Sequence, residues 1–458
     1  MQKIVIKNFG AIKEAEIDIP KTLVLIGEQA SGKSTIAKLI YFFQDINDDI
    51  FETFISSKQT LNLVELITDK FYNFFGNDFQ NSLFELKYYT NIEKNKFIKI
   101  SNINKEPKVE ISEKFIEQGY LNIFNFSKKR IKEINDKLEL TNDSNESFAL
   151  ELYKRDYLKV AQRKLTGIFN LQFESNLFVV AGRNSTVQYN DLFEKYLFAE
   201  VKNRIDDNKK QKSLELKEQT IDELLTMKFM ERVSRVKTIF ERNGGTFASL
   251  LKSENKNGIF QKAENKISEI LKGKYSSDKL GERINLDNGS FVRLSNASSG
   301  QQESIRILQD LFLVILQNQK VLRIIEEPEA HLFPIAQKQM IELLALMVNK
   351  NEDSRLIITT HSPYILSTFN NLLFASRVVE KNPDAENAVS EVVDIDFRLK
   401  ASDFAAYTLR FTEGGFVSES IMSDKGVIKQ NYLDTVSDML SYEFNHLMTI
   451  HAKTFARK

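Results

Sequence analysis

Short runs of apolar residues, alternating or continuous, bracket a long charged middle in this chain. At the start, Ile4–Lys7 and Ala15–Ile19 alternate at period two, whereas Thr22–Ile26 is apolar after its first residue, as in a strand buried on both faces. Ile36–Phe43 then carries apolar residues at helical spacing. Gln44–Asp49 is polar, and helical segments follow to about residue 80. Period two returns in Phe84–Tyr89, Lys96–Ile100 and Lys108–Ile111, separated by Asn-rich turns, which predicts a three-stranded antiparallel arm. Residues 112–164 read as charged helices, and Leu177–Arg183 reads as a buried strand ending in a polar turn. Residues 191–242 are helical again. Phe193, Leu197, Val201 and Ile205 hold a helical spacing that is lost around 206–213, so a short hairpin or bundle is expected in place of a long coiled coil. Past Gly244, Gly245, Gly258 and Gly273 the apolar runs resume: a helix at Ser304–Leu316, strands at Val321–Ile325 and Arg355–Thr360, and further strands near Phe374–Val379 and Val389–Ile395. An apolar segment Ala405–Phe411 and a final helix from about Tyr432 to Met448 complete the chain. Strands interleaved with helices predict an α/β fold.

Composition narrows the class. With 458 residues and 42% hydrophobic content, the chain can build two or three globular domains. Lys plus Arg and Asp plus Glu both number 63, so no global field gathers polyanions, and nucleic acid would need a local patch. The cluster Lys128, Lys129, Arg130 and Lys132 is diluted by Glu133, Asp136 and Glu139, the mark of a solvated face. Cysteine is absent, which excludes disulfides, thiolate metal sites and a cysteine nucleophile. Neither Leu311–Leu316 nor Leu343–Val348 approaches the roughly 18–20 residues of a membrane span, and the opening residues lack a signal core, so a cytoplasmic protein without a membrane partner is expected.

Candidate chemistry begins at Gly27-Glu28-Gln29-Ala30-Ser31-Gly32-Lys33-Ser34-Thr35, which fits G-x-x-x-x-G-K-[ST] between a predicted strand and a predicted helix. Glycines let backbone N–H groups turn inward around phosphate oxygens, Lys33 reaches them, and the Ser34 hydroxyl suits Mg²⁺. A second strand ends in Glu326-Glu327-Pro328-Glu329, where one carboxylate, Glu326, can organise Mg²⁺ and the next, Glu327, can polarise water. The strand Arg355–Thr360 ends at His361, one of only four histidines, placed to sense the γ-phosphate. Ser299-Gly300-Gln301 lies at a helix start, where backbone donors and the helix dipole favour an anion.

These motifs stand in an order that resembles the ABC-type ATPases of the SMC, RecF and OLD group, most of all standalone OLD-like and Septu-like bacterial ATPases. The likeness covers residues 1 to about 45 and about 280 to 380. Ile4–Phe9 through Thr35 resembles the amino-terminal half of such a head, Ser299–Gln302 the signature motif, Ile324–Pro334 the Walker B strand and D-loop, and Thr359–Pro363 the switch loop. Glu326 stands where an aspartate is usual, Phe333 replaces the usual D-loop aspartate, and Gln44 and Gln188 are the candidates for the Q-loop. The resemblance implies a P-loop ATPase head with a mixed β-sheet core, an antiparallel β subdomain and an inserted helical subdomain. The expected division is 1–111 for the first part of the head with the β arm, 112–275 for the helical insertion with a core strand near 177–183, and 276–458 for the rest of the head. It also implies a homodimer, or a higher oligomer, in which ATP at Gly27–Thr35 of one subunit is closed over by Ser299 and Gly300 of another. Arg183 is a candidate polar contact near the nucleotide, and the ordinary behaviour of arginine favours a structural salt bridge as the alternative. Two roles follow for such a chain: a defence or toxin-type switch with a separately encoded effector, and a DNA-repair ATPase that grips duplex DNA through Lys128–Lys132 and Lys209–Lys212; a small-molecule kinase using the P-loop is a third reading, which the signature and switch-loop motifs argue against. The first is favoured by the compact middle and by Glu413-Gly414-Gly415 lacking the acidic residues that a Toprim nuclease would need after it.

Overall fold

The computed structural model describes residues 1–56, 63–76, 82–102, 107–113, 120–141, 144–168, 173, 175–188, 220–254, 258–279, 281–429 and 435–455. Eleven strands form one mixed sheet, in spatial order β6 (Pro107–Ile111), β5 (Lys96–Asn102), β4 (Phe84–Asn91), β1 (Gln2–Phe9), β2 (Ile12–Ile19), β14 (Gly415–Ser420), β13 (Phe404–Thr412), β3 (Thr22–Gly27), β12 (Arg355–Thr360), β11 (Val321–Glu326) and β7 (Ser175–Val179). From β13 to β7 neighbouring strands run parallel, and from β6 to β2 they run antiparallel. The hairpin β13–β14 joins the halves, with β13 parallel to β3 and β14 parallel to β2. A small antiparallel sheet has the order β10 (Phe291–Arg293), β9 (Gly281–Asn285), β8 (Lys274–Asp278).

The continuous apolar strands are sandwiched, as their sequence requires. Leu23 and Leu25 of β3 enter one core, with Leu322, Ile324 and Ile357, beneath the helices Lys33–Ser56 and Leu63–Phe75. Val24 and Ile26 enter the other, with Val321, Ile325, Leu356 and Ile358, beneath the helices Ser299–Gln317, Pro334–Lys350 and Pro363–Lys381. Each such side chain contributes about 1.5–3 kcal/mol by leaving water. Phenylalanines seat Leu63–Phe75 against β1, the arm and the first helix: ring centroids lie 5.5 Å apart for Phe9–Phe75, 5.7 Å for Phe71–Phe84 and 5.6 Å for Phe42–Phe75. Asp45 ties three helices together, accepting from Lys70 of Leu63–Phe75 at 2.9 Å and from Lys228 of Ile221–Arg242 at 2.8 Å.

Several elements differ from expectation. Phe374–Val379 lies inside the helix Pro363–Lys381, and Val389–Ile395 is short helix and turn, not strand. Ser362 caps that helix and Pro363 opens it, and Ile365, Leu366, Phe369, Leu372 and Leu373 are buried at helical spacing. The period extends through a stretch that looks strand-like when read alone. The helix expected at 304 begins at Ser299 because Ser298 caps it, and the strand expected over 177–183 ends at Val179. The small sheet is unannounced by the sequence: its strands are solvated, with Tyr275 and Ile284 among the few buried side chains, so no period-two signal forms. Much of the expected hairpin over 191–242 lies outside the described residues, and Ile221–Arg242 is a single helix. No helix among the described residues is long and apolar enough to cross a membrane.

Candidate active site

Parallel strands bring their carboxyl ends to one edge of the sheet, and register decides which residues meet there. Thr360 pairs with Ile26, one residue before Gly27, and Glu326 pairs with Thr359, two before His361. Motifs more than 300 residues apart thereby share one rim.

Between Gly27 and the helix that starts at Lys33, the chain makes a tight loop. Gly32 takes φ +98, and a Cβ there would lie 2.8 Å from Ile12 Cγ1, so both conformation and space demand glycine. Glu28, Gln29 and Ala30 are exposed, Ser31 is buried, and Ser34 is exposed with Thr35 partly buried beside it. The Lys33 ammonium curls into the loop, donating to Gly27 O (2.9 Å), Glu28 O (2.7 Å) and Ser31 Oγ (3.4 Å). Burial pushes its pKa down to about 8, against the pull of Glu327, Glu329 and Glu326. A cation ringed by carbonyls at a helix N-terminus is poised for an anion that outcompetes them.

The carboxylates differ from one another. Glu326 is buried; its Oε2 accepts from the Ala181 N–H at 3.3 Å, while its Oε1 has no hydrogen-bond partner among the described residues. An orphaned buried carboxylate oxygen fits a metal ion as its missing partner. Glu327 is half-buried and takes φ +45, with its N–H donating to Thr359 O at 2.9 Å. Its Oε1 lies 3.2 Å from His361 Nε2. Glu329 binds the next loop, accepting from Thr360 Oγ1 at 2.6 Å and from the His361 N–H at 2.9 Å.

The helix start Ser299–Gln301 faces a different neighbour. Ser299 is exposed, and a Cβ on Gly300 would lie 2.5 Å from His331 O, so the helix end abuts the loop that follows Glu327. Gln301 completes a capping box, its Oε1 accepting from the Ser298 N–H at 3.1 Å, and its Nε2 donates to Leu271 O at 2.6 Å. Of the Q-loop candidates, Gln44 lies on the helix Lys33–Ser56 and is buried against β1 and β4, donating to Gln2 Oε1 at 3.1 Å and to Tyr88 Oη, away from this rim. The side chain of Gln188 lies outside the described residues. Glu413-Gly414-Gly415 is the tight turn of the β13–β14 hairpin.

Sequence reasoning overlooked Glu303 and Glu329, and it left Arg183 between a ligand contact and an ion pair. Arg183 is fully buried and paired with Glu303 at 3.4 Å. The available signal was a set of charges, Glu303, Arg306 and Asp310, on a helix that is largely apolar from Ile305 to Leu316. All are buried and all are partnered, Arg306 by Glu282 (2.6 Å) and Asp310 by Arg323 and Arg232 (2.6 Å each).

Comparison with known proteins gives the family of the chain. The chain is 24% identical over 413 residues to the endonuclease GajA of Bacillus cereus (strain HuB5-5), an alignment covering 79% of this chain and 56% of GajA, so the chain spans about half the length of that relative. Among solved structures, it is similar to an SMC head domain from Thermotoga maritima (10% identity, TM-score 0.35, covering 92% of this chain and 98% of that one). It is also similar to the recombination mediator RecF bound to an ATP analogue (11% identity, TM-score 0.30, covering 92% and 97%). Residues 1–366 match the AAA ATPase domain family. The chain belongs to that family and is an ATPase.

Proposed function

We propose that the chain is a nucleotide-driven switch that hydrolyses ATP as a dimer, each site being completed by Ser299–Gln301 of a second copy. The observation that carries this reading is the rim itself: Lys33 in its glycine-rich loop, Glu326 with an orphaned oxygen, and Glu327 against His361, with Ser299 exposed at a helix N-terminus. In this reading the ATP phosphates replace the loop carbonyls as acceptors for Lys33 and also accept from the N–H groups of residues 28–35. Magnesium held by Ser34 and Glu326 would neutralise charge on the phosphate oxygens. Glu327 takes a proton from water as the water oxygen bonds to the γ-phosphorus and the bond to the ADP oxygen breaks. His361 orients that carboxylate and senses the γ-phosphate, and Glu329 holds the His361 loop through two hydrogen bonds. Loss of the γ-phosphate removes the anion on which the second copy's helix dipole closes, so the dimer loosens.

The biological role we infer is anti-phage defence, with the switch governing a separate effector. The similarity to GajA, an endonuclease only partly covered by this chain, supports that setting, as do the OLD-like motifs. Duplex DNA is the competing partner. Of its expected basic stripe, Arg130 is engaged by Glu133 at 2.9 Å and by Tyr153, while Lys209–Lys212 lie outside the described residues.

Two substitutions test the chemistry. Lys33→Ala should abolish nucleotide binding, whereas Glu327→Gln should keep binding, stop phosphate release and accumulate a dimer in ATP, read by light scattering. Phosphate release that persists in Glu327→Gln would remove the catalytic assignment. Partners retained on the trapped dimer then separate effector from DNA, because DNA binding falls steeply with salt.

A further inference from the structure

We infer that Arg183 couples the helix Ser299–Gln317 to the carboxylate turn of the same chain, setting the rate of turnover without holding nucleotide. This rests on the ATP-site reading and extends it to a positioning residue. Nearly every donor on Arg183 has a named acceptor. Nη1 donates to Glu326 O (2.6 Å) and Val180 O (2.9 Å), Nη2 to Glu327 O (2.9 Å), and Nε to Glu303 O (3.2 Å). Its main-chain N–H donates to Glu303 Oε2 at 2.9 Å. One buried side chain therefore grips the second turn of the helix and the carbonyls of both residues that carry the active-site carboxylates.

The grip matters because of the conformation it holds. Glu327, at φ +45, is in a region that a residue with a Cβ keeps only when its surroundings over-determine it. Thr359 fixes its N–H and Arg183 fixes its carbonyl, which together aim its carboxylate at His361. Glu303 lies four residues after Ser299 on a rigid helix, so an anion that pulls on the helix start moves Glu303 too. Arg183 transmits that movement to the turn. A lysine has no planar fork and cannot span two adjacent carbonyls and Glu303 at once. If Arg183 merely neutralised Glu303, its loss would change stability and leave the balance of kcat and KM alone.

The test compares Arg183→Lys, Glu303→Met and the double variant with wild type, measuring kcat, KM for ATP, nucleotide affinity and thermal unfolding; methionine keeps the length of Glu303 but removes the oxygen that accepts from the Arg183 main chain. Each single variant should lose at least about 10-fold in kcat while KM and affinity stay within about threefold, and the double variant should be no worse than the poorer single, because both weaken one linkage. A smaller loss of kcat, a rise in KM at constant kcat, or additive losses would overturn the inference. Should Arg183→Lys not fold, Glu303→Met decides alone, since it leaves the fork on the carbonyls of Glu326 and Glu327. A wild-type chain without turnover would sink the ATPase reading itself, whereas wild-type turnover that survives both substitutions sinks only the coupling.

Discussion

Lys33 shows what single residues contribute and how far they could be read. Its place in the loop follows from the motif, but its present partners, the carbonyls of Gly27 and Glu28, and its depressed pKa of about 8 follow from burial that only the fold supplies. A lysine that loses its proton near pH 8 binds phosphate less well above that point. The dissociation constant for ATP should hold steady below about pH 8 and climb by up to about tenfold per unit beyond it. Titration calorimetry across that range checks this, and a constant that stays flat to pH 10 contradicts it. Glu326, Glu327 and His361 were likewise legible, because a strand ending in a charged or polar residue is a local pattern. Arg183 was legible only as a choice between a nucleotide contact and an ion pair, and Glu303 was not, since its meaning is a contact across 120 positions that spacing does not encode.

At the scale of elements, strands and helices were legible where burial on one or two faces imposed a period, and illegible where it did not. The solvated strands β8 to β10 and the run Phe374–Val379 mark those two failures, the first for lack of signal and the second for lack of context. Packing between elements supplies two further tests. Gly300 backs onto the His331 carbonyl at a distance that leaves no room for a methyl group. Gly300→Ala should therefore shift the helix start, destabilising the chain by about 1–3 kcal/mol in denaturant unfolding. An unchanged midpoint would mean the two loops do not abut. Asp45 is opposed by burial, but Lys70 and Lys228 outweigh that and hold its pKa down to about 2. A carboxylate depressed on folding stabilises above its unfolded pKa of about 4 and loses that contribution as pH falls through about 2; the amount is on the order of 2 kcal/mol. Asp45→Asn should cost about 3 kcal/mol at neutral pH by removing the buried carboxylate on which Lys70 and Lys228 converge, and should remove this part of the acid sensitivity. Urea unfolding at pH 7 and pH 3 distinguishes that outcome from a variant as acid-sensitive as wild type.

The whole molecule was legible as an α/β head because two distant sets of motifs made sense only on one sheet. One larger feature was not. The β arm and the parallel half form a single sheet through β13 and β14, strands contributed by residues after 400, and no local pattern could assign them to the gap between β2 and β3. The proposed assembly comes from the resemblance, which gives Ser299, exposed at a helix start, its role against a second copy. The central claim, that each ATP site is shared between copies, is tested most directly by mixing two inactive chains, Lys33→Ala and Ser299→Arg. In a two-fold dimer with shared sites, a mixed pair gathers both lesions into one site and leaves the other intact. An equal mixture should recover about a quarter of wild-type phosphate release if a lone intact site turns over, because half the dimers are mixed and each of those has one working site. A mixture as dead as its parents at every ratio would contradict the shared site.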